Sequence, residues 1–380
     1  MTCCDLKCGL ITGTVLGALI AVLGGILIPV GNMLIKNTVH KETVLENGTL
    51  AFETWTSVDI AIHRQFWLFD VQNADDVVSQ GAKPVLVQKG PYTYKTRFIP
   101  KKNITFNDNY TVSFVLPAGA IFEPSMSVGT EEDIFTTLNL AVAYNDTFDG
   151  PYTVFTGKDD INKVATIERW QGETSISAEY EGTVDLKGID VYRYMLPPEA
   201  LASPAENPDN QCFCTDPVIT KNCTMAGLLD LTACRGAPVY ISLPHFLYGS
   251  KDLVQGVIGL NPNFDEHSIF MDVEPITGFT MRFAKRLQLN MLYGPSDSIV
   301  ILNKIKDYTI FPILWVNETA GLDDETADLF KKELIGRMEL LEGFQIGLIV
   351  VGLILFASCL IGLIVVCMKP KNTKLPLVVK

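Results

Sequence analysis

The sequence predicts an α+β membrane protein in which two transmembrane helices flank one mainly β ectodomain with peripheral helices. Three observations predict this fold class: two long uncharged segments near the ends, N-glycosylation sequons that all lie between them, and period-two alternation of apolar residues in the middle of the chain. The expected organisation is a cytoplasmic tail over 1–8, a first span over 9–30, the ectodomain over 31–342, a second span over 343–368 and a cytoplasmic tail over 369–380.

The two uncharged segments run from Gly9 to Gly31 and from Gly343 to Met368. At about 1.5 Å rise per residue, each is long enough as a helix to cross a hydrocarbon layer of about 30 Å. The first segment exceeds the roughly 7 to 15 apolar residues of a signal peptide, which favours an uncleaved anchor over a cleaved signal. Lysines follow the second segment, so it is interpreted as a stop-transfer helix and not as the tail of a lipid-anchor signal.

Lysines also predict the orientation of the chain, because positive charge accumulates on the cytoplasmic side of a membrane. Lys7 precedes the first span, and four lysines follow the second, so both termini are expected in the cytoplasm. The last twelve residues lack an acidic dileucine-type signal, which favours the plasma membrane, reached through the endoplasmic reticulum and Golgi, over the lysosome. Six sequons lie in the segment that this rule places outside: Asn47, Asn103, Asn109, Asn145, Asn222 and Asn317.

Four cysteines lie close together in the ectodomain, at Cys212, Cys214, Cys223 and Cys234. An oxidising compartment predicts that they form disulfides. A zinc site is disfavoured because the spacing C-x-C-x8-C-x10-C lacks a C-x2-C knuckle. Four cysteines allow three pairings, and the spacing leaves the choice between them open.

Other cysteines lie at the cytoplasmic edge of the membrane. These juxtamembrane positions are candidates for S-palmitoylation, with unmodified thiols as the alternative, whereas Cys359 lies deeper in the second span and is expected to be a packing residue. The candidates are Cys3, Cys4, Cys8 and Cys367.

Glycines in the first span form consecutive G-x-x-x-G steps at Gly9, Gly13 and Gly17. Such steps permit close contact between helices. The sequence does not decide whether the partner is the second span or another copy of the chain, so a homo-oligomer formed through these glycines is one of two expectations.

Secondary-structure signals between the spans are mainly β. The stretch "PVLVQKGPYTYKTRFI" predicts a strand, a Lys-Gly-Pro turn and a second strand. The stretch "GFTMRFAKRLQLNML" alternates in a way that predicts one long strand of a large barrel or sheet. Lys285 is the exception on its apolar side, where it could meet an anionic headgroup, end at a rim or pair with an acid. Towards the second span, "DDETADLFKKELIGRMELLEG" predicts a helix that continues into the membrane.

Charge and motif content argue against several classes of function. The net charge is −13, which disfavours nucleic acid as a partner. There is no H-E-x-x-H, G-x-S-x-G or Walker motif, and the four histidines are expected to be structural or surface residues, so no enzymatic activity and no cofactor are predicted. A basic stretch over 83–102 precedes an acidic one over 131–135, which is typical of solvated strand faces and less often of a local anion or protein site.

A set of distinctive motifs runs through nearly the whole chain. They are "CGLITG", "GGILIPVG", "RQFWLFDVQN" (64–73), "KGPYTYK" (89–95), "GAIFEPSMSVGTEED" (119–133), "NPDNQCFCT", "PVYISLPHFLYGS" (238–250) and "DVEPITGFTMRFAKRLQLN" (272–290). Together they closely resemble the class B scavenger receptors. The resemblance implies a β-barrel-like ectodomain threaded by an apolar tunnel. It also implies long-chain fatty acids, oxidised lipoproteins, anionic phospholipids and thrombospondin-like proteins as partners.

The resemblance further implies roles for particular residues. Cys214 and Cys223 match one disulfide of the family. Arg235 takes the place of a tunnel-associated lysine, so that it joins Lys285 as a lipid-binding candidate. The juxtamembrane cysteines Cys4, Cys8 and Cys367 fall near acylated tail cysteines of the family.

Two blocks of the family pattern are absent, one after "LNLAVA" (138–143) and one between "WQGETS" (170–175) and "EGTVDLKG" (181–188). They contain the lysines of the fatty acid dock and the family partners of Cys212 and Cys234. We therefore expect weakened ligand capture and a bond between Cys212 and Cys234, with free thiols or intermolecular bridges as alternatives. A two-span ligand-gated channel and a membrane-tethered ectoenzyme are the other functions compatible with the topology, but the spans carry no charged pore-lining residue.

Overall fold

The computed structural model describes residues 3–56, 62–96, 100–117, 119–138, 148–155, 167–170, 178–214, 223–231, 239–295 and 303–368. The chain forms two compact units. One contains the residues up to Lys41 and those from Asp324 onward, and the other contains Glu42–Asp323. Several predicted features fall outside the described residues: the sequons at Asn145 and Asn222, the residues Cys234 and Arg235, and the C-terminal tail.

The helices differ widely in length. They are α1 (Cys3–Thr43), α2 (Leu50–Thr56), α3 (Ala74–Gln80), α4 (Lys251–Gln255), α5 (Phe264–His267), α6 (Asp324–Phe330) and α7 (Gly336–Met368), with a π-helical turn at Lys331–Ile335 between the last two. The strands are β1 (His63–Val71), β2 (Leu86–Thr96), β3 (Lys102–Phe106), β4 (Thr111–Pro117), β5 (Ala120–Phe122), β6 (Phe148–Phe155), β7 (Ile167–Trp170), β8 (Glu179–Leu186), β9 (Ile189–Met195), β10 (Leu229–Asp230), β11 (Val239–Ser242), β12 (Phe270–Val273), β13 (Thr280–Tyr293) and β14 (Thr309–Gly321).

The terminal unit consists of two long apolar helices. Both are long enough to span a membrane: α1 has 41 residues, and the helix that begins at Asp324 continues for 45 residues to Met368. This confirms the prediction that the segment before the second span is helical and runs into it. The first helix contains Pro29 and continues past the expected end of its span at residue 30, as far as Thr43. A proline is tolerated inside a transmembrane helix because neighbouring groups satisfy the freed carbonyl.

The larger unit is built on an antiparallel sheet of ten strands. The hydrogen-bonded path runs β5-β2-β1-β14-β13-β12-β9-β8, and β13 is long enough to pair with both β12 and β11 along one edge, with β10 beyond β11. Within the described residues the path ends at β5 on one side and β8 on the other. A second sheet of four strands has the order β3-β4-β6-β7. The fold is therefore α+β, as the sequence predicts, with β1, β14 and β13 at the centre of the larger sheet.

The prediction of a turn at Lys89–Pro91 is wrong. Leu86–Thr96 is one strand, and its register on β1 shifts where Phe66 pairs with Tyr92 and Leu68 pairs with Lys89. The shift places one extra residue on β2, which is a β-bulge. Gly90 has a φ of +134°, and a Cβ there would lie 2.6 Å from the carbonyl oxygen of Phe66. Glycine and proline thus mark a bulge inside a strand and not the end of one.

One face of the large sheet packs on the main apolar core. That core joins residues of β1, β2, β13 and β14 with α3 and the loops around residues 257 and 305: Phe69, Val77, Leu86, Val257, Tyr293, Ile305, Phe311, Ile313 and Trp315. The indole rings of Trp67 and Trp315, which are directly paired across β1 and β14, stack 3.9 Å apart at an interplanar angle of 2°. The stacked pair packs β1 against β14 and helps to fix the strand register.

Candidate functional site

The other face of the large sheet is apolar but only partly covered. Alternate residues of the three central strands lie in two cross-strand rows: Phe66, Val316 and Leu287 in one, and Leu68, Leu314 and Leu289 in the next. All six side chains are partly exposed, and Leu314 also packs against the main apolar core. We call these six residues the apolar face. Because an ordinary sheet buries its apolar face against a second layer, partial exposure of six such residues at the sheet centre is typical of a ligand-facing surface.

A charged row borders the apolar face on one side. Arg64, Glu318 and Lys285 are cross-strand neighbours on β1, β14 and β13, one register step beyond the row of Phe66. The Arg64 guanidinium donates to the Glu318 carboxylate at 2.6 Å, and both side chains are partly exposed. Lys285 is exposed and lies directly across from Glu318. The structure therefore places Lys285 at the rim of the apolar face, which was one of the three positions left open by the sequence.

A second charged pair borders the opposite side of the face. The Lys89 ammonium lies 2.8 Å from the Asp70 carboxylate and 5.6 Å from the centre of the Phe135 ring. Burial alone would raise the pKa of Asp70. Hydrogen bonds from Lys89, the backbone amide of Thr136 and Gln72 outweigh burial and hold that pKa below its ordinary value. The acid therefore stays ionised. The apolar face thus lies between two charged borders, the row with Glu318 on one side and the Lys89–Asp70 pair on the other.

An aromatic pair extends the face towards β2. The ring of Tyr94 meets Phe66 edge-on at 5.6 Å and Phe122 at 5.3 Å. Tyr92, its neighbour on the same strand, donates from its hydroxyl to Asp133 at 2.6 Å. Burial, the hydrogen bond and the nearby carboxylates raise the pKa of Tyr92 to about 12, so the phenol stays neutral.

Polar residues are buried beneath the covered face of the sheet. Gln288 and Asn290 are fully buried, although both lie on the polar side of the alternation that predicts the strand. Gln288 accepts from the backbone amide of His245 and donates to Asn290, which in turn donates to Ser242 and to the carbonyl of Tyr240. Polarity alone did not identify which side of this strand is buried, because a satisfied hydrogen-bond network can replace apolar packing.

Two buried histidines complete this network. The rings of His245 and His267 stack 4.5 Å apart, and the Nδ1 atom of each accepts a backbone amide hydrogen, from Asn261 and Asn263 respectively. The Nε2 atom of His245 is therefore the donor to Gln88 at 2.6 Å. Burial lowers the pKa of each histidine to about 4, reinforced by the facing His267 and by Arg286 respectively. Both residues are structural, as the sequence predicts.

An ion-pair cluster lies at the end of β12. Asp272 is fully buried and accepts two hydrogen bonds from Arg193, at 2.7 and 2.8 Å, and one from Arg282 at 2.8 Å. Burial would raise the pKa of Asp272, but the two guanidiniums hold it below its ordinary value. Arg193, Arg282 and Arg286 also lie over the ring of Phe270, between 4.6 and 5.7 Å from its centre. The cluster connects β9, β12 and β13.

The terminal helices pack against each other through small residues. A Cβ added to Gly17 would overlap the backbone of Phe356, and one added to Gly352 would overlap the backbone of Ala21. Nearer the other end of the helices, the buried Gln345 amide donates to the carbonyl of Leu27 at 2.9 Å. Of the three predicted glycines, Gly13 faces Cys359 and Gly17 faces Phe356, whereas nothing lies within 4 Å of a Cβ on Gly9. The second span is therefore one partner of this glycine stripe.

The amino-acid sequence matches one known protein family over most of its length. The profile of the CD36 family matches residues 15–144 and 174–363. The chain belongs to the CD36 family. Among its relatives are scavenger receptor class B member 1 of Cricetulus griseus, 26% identical over 89% of this chain and 86% of the relative, and lysosome membrane protein 2 of Rattus norvegicus, 27% identical over 78% of this chain and 82% of the relative. As a member of the CD36 family, the chain is a two-pass membrane protein, and its relatives include a class B scavenger receptor.

The alignment with the first relative is longer than the matching part of this chain. It extends over 447 positions but includes only 89% of 380 residues, so about 100 positions of it lie opposite gaps. The interval between the two family matches falls at residues 145–173. The alignment length agrees with positions of this relative that the chain lacks, and the two absent blocks stay a prediction.

The structure describes several of the cysteines predicted to be modified. Cys214 and Cys223 form a disulfide with a Cα–Cα distance of 5.7 Å, which is within the usual range, while the side chain of Cys212 lies outside the described residues. Cys8 and Cys367 are exposed, and Cys359 is partly buried, but the side chains of Cys3 and Cys4 also lie outside the described set.

The sequons that the structure describes are not equivalent. Asn47, Asn103 and Asn109 are exposed. Asn317 lies on β14, is 9% exposed, and its side-chain amide donates to Gln65 at 3.1 Å. A glycan attached to that nitrogen would change this hydrogen bond. Exposure thus separates three accessible sequons from one that is part of the sheet.

Proposed function

We propose that the protein is a cell-surface class B scavenger receptor that binds and takes up long-chain fatty acids and other anionic lipids. The observation that carries this proposal is the apolar face with its charged rim of Arg64, Glu318 and Lys285. Oxidised lipoproteins, anionic phospholipids and thrombospondin-like proteins are the further partners that we propose. The relatives' names support a receptor role at a membrane and include both a scavenger receptor and a lysosomal membrane protein.

The geometry of the face fits an amphiphile with one charged end. Six aliphatic and aromatic side chains provide the apolar area, and burial of such area stabilises a complex by about 25 cal/mol per Å². At the rim, Glu318 is already paired with Arg64, and the exposed Lys285 adds a second positive charge to one carboxylate. The row has a net charge of +1, which suits a lipid carboxylate or phosphate and not a cationic headgroup.

The expected topology and modifications follow the same proposal. We propose that both termini are cytoplasmic, that Cys3, Cys4, Cys8 and Cys367 carry palmitate, and that exposed sequons carry glycans at the cell surface. Arg235 remains a proposed lipid contact, since it lies outside the described residues. We also propose that the absent blocks weaken capture of ligand, because a shallower face buries less of an acyl chain. A homo-oligomer through the glycine stripe is disfavoured by its contacts with the second span.

Binding of radiolabelled oleate to the full-length protein in detergent tests the proposal. We expect saturable binding, and we expect Leu287→Gln to weaken it by about tenfold, because a polar amide replaces a side chain whose burial is worth about 1.5 kcal/mol or more. Ile276→Gln is the matched control, since Ile276 is 41% exposed in the turn between β12 and β13. Equal affinity of the two variants, or no saturable binding by the unaltered chain, would contradict the proposal.

A second pair of ligands tests the role of the rim. Oleate and oleyl alcohol share a chain and differ in charge, so Lys285→Gln should weaken binding of the acid several-fold and leave binding of the alcohol unchanged. A similar loss for both ligands would show that Lys285 acts through the fold and not through charge. Surface biotinylation of transfected cells, combined with a test for mature glycans, checks the proposed localisation.

A further inference from the structure

Lys101 lies against aromatic rings and has no carboxylate partner among the residues that the structure describes. Its ammonium is 4.6 Å from the centre of the Trp55 ring and 5.5 Å from the centre of the Phe114 ring. It donates a hydrogen bond to the backbone carbonyl of Trp55, at the end of α2. We call Lys101, Trp55 and Phe114 the lysine niche.

The surroundings of the niche are apolar. Trp55 and Phe114 meet edge-on at 4.8 Å and belong to a cluster that connects α2 with the smaller sheet. The other members are Leu45, Ala51, Ile104, Val112 and Leu116. Among the described residues, no acid forms an ion pair with Lys101, so its positive charge is balanced only by ring faces and one carbonyl dipole.

Burial in this niche lowers the pKa of Lys101 to about 8. The contacts with the rings and the carbonyl favour the charged form, but they do not replace the lost hydration. At pH 7.4, an amine with a pKa of about 8 is roughly 20% unprotonated, against about 0.1% for an unperturbed lysine. A desolvated lysine of this kind is the usual form of a nucleophilic amine in proteins.

We propose that Lys101 is a covalent modification site that forms a Schiff base with aliphatic aldehydes. Its Nζ lone pair forms a bond to the aldehyde carbon, and the carbonyl oxygen leaves as water with two protons that come from the amine. Nothing is oxidised or reduced, so the adduct needs no further reagent and reverses by hydrolysis. The apolar walls select an aldehyde with a hydrocarbon chain over a hydroxylated one, because only the former keeps the niche dry.

The adjacent Lys102 is a control within the same protein. It is exposed, begins β3, and differs from Lys101 in surroundings but not in chemistry. Relative to an unperturbed lysine, the unprotonated fraction of Lys101 is larger by about 200-fold at pH 7.4. Lower basicity reduces intrinsic nucleophilicity by about an order of magnitude, by analogy with thiols. We therefore expect Lys101 to react roughly ten to twenty times faster than Lys102.

The experiment traps the adduct of the full-length protein in detergent. Octanal is added with cyanoborohydride, which reduces the Schiff base to a stable amine, and fragment-ion mass spectrometry of deglycosylated peptides separates Lys101 from Lys102. We expect a labelling ratio of roughly ten to twenty at pH 7.4 that falls as the pH rises and drops below one well above pH 10, where both amines are unprotonated and the more basic one is the better nucleophile. Glyceraldehyde, which has no hydrocarbon chain, should give a smaller ratio than octanal.

Two variants define the site. Lys101→Arg should remove the fast-labelled position, and Trp55→Leu, which retains the backbone acceptor, should lower the ratio at least threefold because one wall is lost. If Trp55→Leu does not fold, the ratio in the unaltered protein still decides the question. Equal labelling of Lys101 and Lys102 at pH 7.4, or a ratio independent of pH, would overturn the proposal.

Discussion

Replacing Asp272 with asparagine should destabilise the ectodomain strongly, although the change adds no volume. The carboxylate is fully buried and accepts three hydrogen bonds from Arg193 and Arg282. An asparagine presents an NH2 group to guanidinium donors and removes the charge that balances them. Removing one partner of a buried ion pair costs about 3–5 kcal/mol.

The magnitude is smaller here because the arginines reach solvent. Their side chains are 23% and 37% exposed, so water partly replaces the lost acceptor. We therefore expect a loss of about 2–4 kcal/mol. At about 2 °C per kcal/mol for a domain of this size, the Tm should fall by about 4–8 °C.

Tryptophan fluorescence of the full-length protein in detergent measures this shift, because all four tryptophans lie between residues 42 and 323. Asp190→Asn is the matched control, since Asp190 is an exposed acid on β9. A Tm change below about 1 °C, or one equal to that of the control, would refute the reasoning that this cluster holds β9, β12 and β13 together.

The remaining predictions concern pH and cross-links. His245 and His267 are protonated near pH 6.5 in the unfolded chain and near pH 4 in the folded chain. The free energy of unfolding should therefore fall as the pH falls from 6.5 to 4, by roughly 2–3 kcal/mol per histidine. His267→Phe should make this pH dependence weaker, as measured by thermal melts at several pH values. Gly13→Cys should cross-link to Cys359 within one chain under mild oxidation, whereas Gly9→Cys should not, and disulfide-linked dimers in place of this bond would contradict the pairing of the helices. The double substitution of Cys214 and Cys223 by serine should cost about 2.5–3 kcal/mol through the freed loop, as read from Tm. Non-reducing peptide mapping should also show Cys212 joined to Cys234, and either thiol found free or bonded between chains would argue against that pairing.

Much of the architecture follows from local patterns. Long uncharged segments predict the end helices because a bilayer disfavours charged side chains along the whole span. Alternation predicts β13 because successive side chains of a strand point to opposite faces of the sheet. The turn predicted at Gly90–Pro91 is a bulge within β2. The same dipeptide occurs in turns and in bulges, and only the pairing with the neighbouring strand distinguishes the two.

The candidate site was less predictable. Lys285 is a candidate on sequence grounds because one charge interrupts an apolar alternation. The apolar face on β1 and β14 gave no such signal, because those strands carry large apolar residues on both sides, as Phe66, Trp67 and Leu68 show. The lysine niche depends on contacts between residues 55, 101 and 114, which no spacing rule connects.

The parallel indoles of Trp67 and Trp315 supply an intrinsic optical probe. Two chromophores stacked at van der Waals distance exchange excitation, so their absorption and emission differ from those of separate tryptophans. The signal requires β1 and β14, which are about 250 positions apart in the chain, to meet in the correct register. Label-free absorption and fluorescence spectroscopy can therefore report when β1 and β14 pair during folding.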